Sequence, residues 1–139
     1  MATARDMGIA DVGFLADEDL TDKQYTVVKA ASTVNQVACA NSASAGFLAL
    51  GVLQNSPSLG QEARVRMLGL TKVYGEMNGT CQLVWGGFVK VASTGRGEPA
   101  EGTGVMPVAG RWLSATVTSG DVIGEVFWFG MSACTAAAC

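Results

Sequence analysis

Four cysteines, a run of carboxylates, a glycine-rich loop and two alternating arginines are the groupings in this chain whose residue types could do chemistry. The chain has no histidine. That removes Ser-His-Asp and Cys-His catalysis, the commonest general base, and every zinc site built on imidazole. Cys39, Cys81, Cys134 and Cys139 form no C-x-x-C pair, so an all-cysteine zinc site would need two distant cysteines to meet a C-terminal pair. Cys39 and Cys81 read as small buried hydrophobes on strands. Cys134 and Cys139 read as free thiols in a tail of small residues; a disulfide between them is open to them only outside a reducing cytosol. Asp17, Glu18, Asp19 and Asp22 crowd four carboxylates together, but they lack EF-hand spacing and its glycine at the sixth position, so the reading is a solvated turn. The loop from Gly95 to Gly104 (GRGEPAEGTG) lacks the lysine of a P-loop and the ordered glycines of a dinucleotide fingerprint, and reads as a surface loop, with partner contact second. Asn78-Gly79-Thr80 fits a glycosylation acceptor and is read as a turn. No catalytic residue, cofactor or metal site is expected, and the chain is read as not an enzyme.

What remains is contact chemistry. Arg64 and Arg66 share one face of an alternating segment, with Ala63, Val65 and Met67 on the other. They either form a solvated outer face or dock acidic groups of a neighbouring subunit, where planar bidentate pairing is useful. Trp85, Trp112 and Trp128 fall in strand-like segments. Tryptophan is enriched in interface hot spots, and Trp112, beside Arg111 between glycine-bounded turns, is the one expected to stand exposed as a contact anchor. Residues 1–16 place Met7, Ile9, Val12, Phe14 and Leu15 among small and acidic residues with neither a helical nor a strand period. They read as an extended arm with apolar anchors.

The elements that must position these groups are strands. A chain of 139 residues is about one domain. It is 49% apolar and only 15% charged, enough for a packed core, and its 18 glycines punctuate short apolar runs. The net charge of −3 offers no basic face for phosphate, so no nucleic-acid partner is expected. No run approaches the roughly 20 apolar residues of a membrane helix, and the N-terminus lacks a basic-then-apolar export signal; the expectation is a chain made in the cytosol, without a membrane partner. Strands are read at 24–31, 34–40, 46–53, 63–73, 82–92, 111–118 and 121–129, with turns at Asn78-Gly79 and Ser119-Gly120. The glycine pair Gly86-Gly87 marks a bulge or a close backbone approach. Asn41–Leu50, rich in Ala and Ser, is read as loop and strand in preference to helix. About seven short strands imply a mainly β fold, a small barrel or sandwich. The divisions are the arm at 1–16, a β domain at 17–130 and a tail at 131–139.

The densest pattern is Leu50–Tyr74, LGVLQNSPSLGQEARVRMLGLTKVY. It reads as strand, tight turn, strand: Pro57 pre-sets φ, Gly60 can take a positive φ, and Asn55 and Ser56 can bond backbone. Gly51, Val52, Leu53, Gln54, Asn55, Pro57, Gly60, Ala63, Val65, Arg66, Gly69, Lys72 and Val73, in this register, resemble the signature of small phage head decoration proteins, also called capsid cement proteins. Gln24-Tyr25-Thr26-Val27-Val28-Lys29 looks like that family's opening strand and Gly120-Asp121-Val122-Ile123-Gly124 like its closing one. The likeness runs over about 17–129, weakly between 77 and 119; the loop 93–104 and the tail 131–139 depart from it.

The resemblance implies a structural virion protein on the outer capsid surface, made in the host bacterial cytoplasm, that staples neighbouring major capsid subunits. Its implied partners are the major capsid protein and copies of itself in a trimer or threefold cluster. The alternative is a non-enzymatic β binding module of a phage neck, tail or fibre. Met7, Ile9, Val12, Phe14, Leu15, Arg64, Arg66 and Trp112 are the candidate contact residues.

Overall fold

The structure, a computed structural model, describes residues 8–40, 49–100 and 105–135. Nine strands follow in order: β1 Gly8–Ala16, β2 Val27–Ala30, β3 Gln36–Cys39, β4 Ala49–Leu53, β5 Glu62–Gly75, β6 Phe88–Val91, β7 Gly97–Pro99, β8 Val105–Trp112 and β9 Val122–Thr135. No helix occurs among the described residues.

β5 is the spine. Its N-terminal half closes a five-stranded barrel: β5 pairs with β4, β4 with β2, β2 with β3, β3 with β1, and β1 returns antiparallel to β5. Its C-terminal half belongs to a second circuit, through β7, β6, β8 and β9 and back to β5. The exchange occurs at Gly69, which lies opposite Gly8 of β1 and opposite Trp128 of β9. Gly69 has φ +119°, a backbone region that L side chains rarely adopt, so one partner can leave β5 there and another can join. Closing sheets on themselves removes edges that would otherwise template aggregation.

The alternation read in Ala63–Met67 is present. Ala63 and Val65 are buried, Arg64 is exposed and Arg66 half-buried. Ala63 and Val65 join Ala16, Leu20, Val28, Val37, Cys39 and Leu53 in the core of the barrel. The second core gathers Val73, Leu83, Val89, Val117 and Val126 around Trp112 and Trp128. Each tryptophan removes roughly 150–250 Å² from water, about 4–6 kcal/mol of transfer free energy before ordering costs.

The turn after β4 follows its chemistry. Gly60 has φ +81°. Asn55 reaches further than expected: its Nδ2 donates to the Glu62 carbonyl and its Oδ1 accepts from Arg64 N–H, both 2.9 Å, so the side chain continues the β4–β5 ladder. Asn78 and Cys81 exchange backbone hydrogen bonds across Gly79-Thr80, a two-residue hairpin turn as read.

Several boundaries differ from the sequence reading. Residues 8–16 are not an arm but β1, paired along Gly8–Leu15 with β5 and at Leu15 and Ala16 with β3; apolar residues stand on both of its faces, which hides a strand period. Residues 131–135, read as tail, are the end of β9. The strand read at 111–118 lies earlier, at Val105–Trp112, because Trp112–Val117 turns away after Leu113 N–H bonds the Glu125 carbonyl. The loop 93–104 contains β7. Of Asn41–Leu50, Ala49 and Leu50 are strand, and 41–48 lie outside the described residues.

Candidate functional site

Arg66 on β5 meets Asp11 on β1 in a planar two-bond pair, Nε to Oδ1 at 2.7 Å and Nη2 to Oδ2 at 2.9 Å. The hydrogen bonds from Arg66 hold the Asp11 carboxyl below the usual carboxylate range, and Asp11 in turn raises Arg66. Arg66 Nη1 also donates to the Leu70 carbonyl at 2.7 Å. The bidentate pairing suited to a neighbouring subunit is therefore made inside the chain, where it locks β1 to β5. Arg64 stays exposed. Val12 and Leu15 are exposed on β1, and Phe14 packs against the barrel core. Met7 lies outside the described residues, and Ile9 is placed only by its backbone in β1.

Trp112 is fully buried, which overturns the expectation of an exposed anchor there. Its Nε1 donates to the Ala115 carbonyl at 2.9 Å. Its six-membered ring rests on Gly75 and Gly124, where a Cβ would collide with it. The absence of side chains at these two glycines makes room for the indole.

The exposed tryptophan is Trp85, 72% accessible. It sits in a tight turn closed by Gly87 N–H to the Val84 carbonyl at 2.9 Å, with Gly86 at φ +79°. The turn is tied to β8 by Gly86 N–H to the Trp112 carbonyl at 2.7 Å and Trp112 N–H to the Gly87 carbonyl at 2.9 Å. Arg111 secures it further: Nε donates to the Gly86 carbonyl at 3.1 Å, and the guanidinium lies 4.7 Å from the Phe88 ring centroid. Val84, Phe88 and Phe127 are partly exposed around it. β6, β8 and β9 align Phe88, Arg111 and Phe127 across the sheet. Periodicity can place a tryptophan on a strand; it cannot say which one the turn lifts into solvent.

Two clefts flank Tyr25. One, of about 290 Å³, is bounded by Gln54, Arg66, Thr71, Lys72 and Glu125. The other, about 230 Å³, lies between Tyr25, Tyr74 and Ile123, with Asp22 and Gln24 at its rim. Both fall below the roughly 300–1,000 Å³ of small-molecule sites. Tyr25 has φ +65°, strained for an aromatic residue, and is held by Tyr25 N–H to the Leu53 carbonyl (2.8 Å) and Tyr74 N–H to the Tyr25 carbonyl (3.0 Å). Such strain persists only where the surroundings over-determine it, and it gathers at binding sites.

The carboxylate run is put to local use. Asp19 accepts from Thr21 N–H at 3.1 Å, and Glu18 accepts from Cys39 N–H at 2.8 Å. Cys39 is a buried free thiol whose pKa burial pushes up. Cys81 is disulfide-bonded, which corrects its reading as a simple buried hydrophobe.

No family model matches the chain, and neither does any curated protein at a significant level.

Proposed function

We propose that the protein is a structural component of a phage head, which binds the outside of the assembled capsid and staples neighbouring major capsid subunits, in threefold clusters of its own copies. The observation that carries this reading is the Leu50–Tyr74 pattern. Its residues do mechanical work in the fold. Gly51 lies against the Arg66 carbonyl where a Cβ would collide. Asn55 zips β4 to β5, and Gly69 hands β5 from one circuit to the other. A closed β body with the exposed residues Val12, Leu15 and Trp85 on its surface suits a contact role. The means are physical: many modest contacts repeated over a lattice act together, and binding only the expanded lattice stabilises it by mass action.

The test is to bind purified protein to heads that lack it. Saturable binding to expanded heads, in hundreds of copies, and a raised disruption temperature are expected. Equal disruption temperatures for bare and decorated heads, with the protein found instead at the neck or tail in a dozen or so copies, would replace this reading by that of a tail-associated binding module.

A further inference from the structure

We infer that the chain associates with a second copy of itself, the Trp85 turn of one molecule docking into the cleft between Tyr25 and Tyr74 of the next. The projecting half is already rigid. Trp85 stands 72% exposed on a turn fixed by three backbone hydrogen bonds and by the Arg111 side chain. An anchor ordered before binding loses little entropy on docking, and tryptophan and arginine are the residue types that dominate interface energies.

The receiving half is also formed in advance. The 230 Å³ cleft has the size of a side chain, with Tyr25, Tyr74 and Ile123 offering ring and aliphatic surface and Thr21, Gln24 and Ser56 offering polar groups that can meet an indole N–H. Ile123 is 44% exposed in the single chain, apolar surface that a docked ring would cover. The strained Tyr25 backbone is bonded between Leu53 and Tyr74, so the cleft does not have to open.

Charge matches as well. Arg111, beside the projecting turn, has no carboxylate within ion-pair distance among the described residues. Asp22, at the cleft rim, is 80% exposed, and its ion-pair contact among the described residues is with Lys23, at 4.0 Å. A docked turn brings a cation to an anion, which steers encounter and sets orientation. Projection and cleft are different surfaces, so the contact is head-to-tail: it closes into a ring if the rotation between copies allows, and otherwise extends. This pairing belongs to the purified chain and does not rest on the capsid reading; either can fail while the other stands.

Trp112 and Trp128 are buried, so the water-exposed part of the tryptophan emission comes from Trp85. Wild-type protein should show, with rising concentration, a blue shift, loss of acrylamide quenching and a larger sedimentation coefficient. Trp85→Ala and Ile123→Glu, both at exposed positions and checked for folding by circular dichroism, should each weaken self-association by at least about 30-fold. Mixed one to one, they should form dimers, because the first keeps an intact cleft and the second an intact Trp85 turn. A wild-type chain that stays monomeric with unchanged emission up to millimolar concentration overturns the inference. So does either variant associating like wild type, or a mixture that forms no dimers.

Discussion

Gly124→Ala tests whether the second core is built around the Trp112 ring. A Cβ at position 124 would collide with the ring's Cη2 and Cζ2, and a Cβ at Gly75 would lie 2.6 Å from the same Cη2, so the ring is seated on both glycines. Overpacking of a filled core costs about 1–3 kcal/mol; with the ring seated on both glycines and the Ser114 Cβ 3.0 Å from the added methyl group, about 3 kcal/mol is expected. Trp112→Phe deletes the outer ring atoms and the Nε1 bond to Ala115. It leaves a cavity costing about 2–3 kcal/mol, less than a full truncation. If these glycines exist to receive the indole, the double variant places the new methyl group in the space the shorter ring vacates. Its cost should then be about 3 kcal/mol, well short of the roughly 5–6 kcal/mol that additivity gives; sites in contact couple this way, whereas independent ones add within about 0.5 kcal/mol. The assay is urea unfolding followed by far-ultraviolet circular dichroism with the disulfide intact, comparing midpoints at constant m. In a thermal scan the single glycine variant should melt about 9 °C lower, at roughly 3 °C per kcal/mol for this size. Additive costs would refute the argument that the ring and the two glycines form one packing unit.

The Asp11–Arg66 pair gives a pH signature. Asp11 titrates lower in the folded chain than unfolded, so its contribution is full at neutral pH and is lost as pH falls below about 4. Because the pair is partly exposed and screened, Asp11→Asn should cost only about 0.5–1 kcal/mol at pH 7 and progressively less as the pH falls below about 4; equal costs at neutral and acid pH in urea unfolding would contradict the pairing. For the cysteines, the buried Cys39 thiol should react with an aromatic disulfide reagent at pH 8 only as fast as the protein opens, whereas reduction of the Cys81 disulfide should lower stability by roughly 2–4 kcal/mol. Rapid labelling of Cys39 in native protein, or a urea midpoint unmoved by reductant, would count against these placements.

The sequence by itself determined the β class, four of the first strands and the turn between β4 and β5. These features depend on neighbours in the chain: the alternation of Ala63–Met67 is a backbone period, and Pro57, Gly60 and Gly79 act on their own dihedrals. Tertiary structure alone decided which groups meet and which face water. β1 carries no readable period because it is held by β5 along one side and touches β3 at its end. Arg66 finds Asp11 across 55 residues, turning a candidate partner contact into an internal clasp. Trp112 and Trp85 look alike in sequence, each next to glycines or basic residues in apolar runs. Trp112 is buried because Gly75 and Gly124, set diagonally side by side on one face of the sheet by the β5–β9 register, leave space for its ring. Trp85 is exposed because Gly86 turns the chain before β6 begins. Local preference shapes each strand, but closure of two circuits around β5 selects the pairs, and that closure is spread over the whole chain.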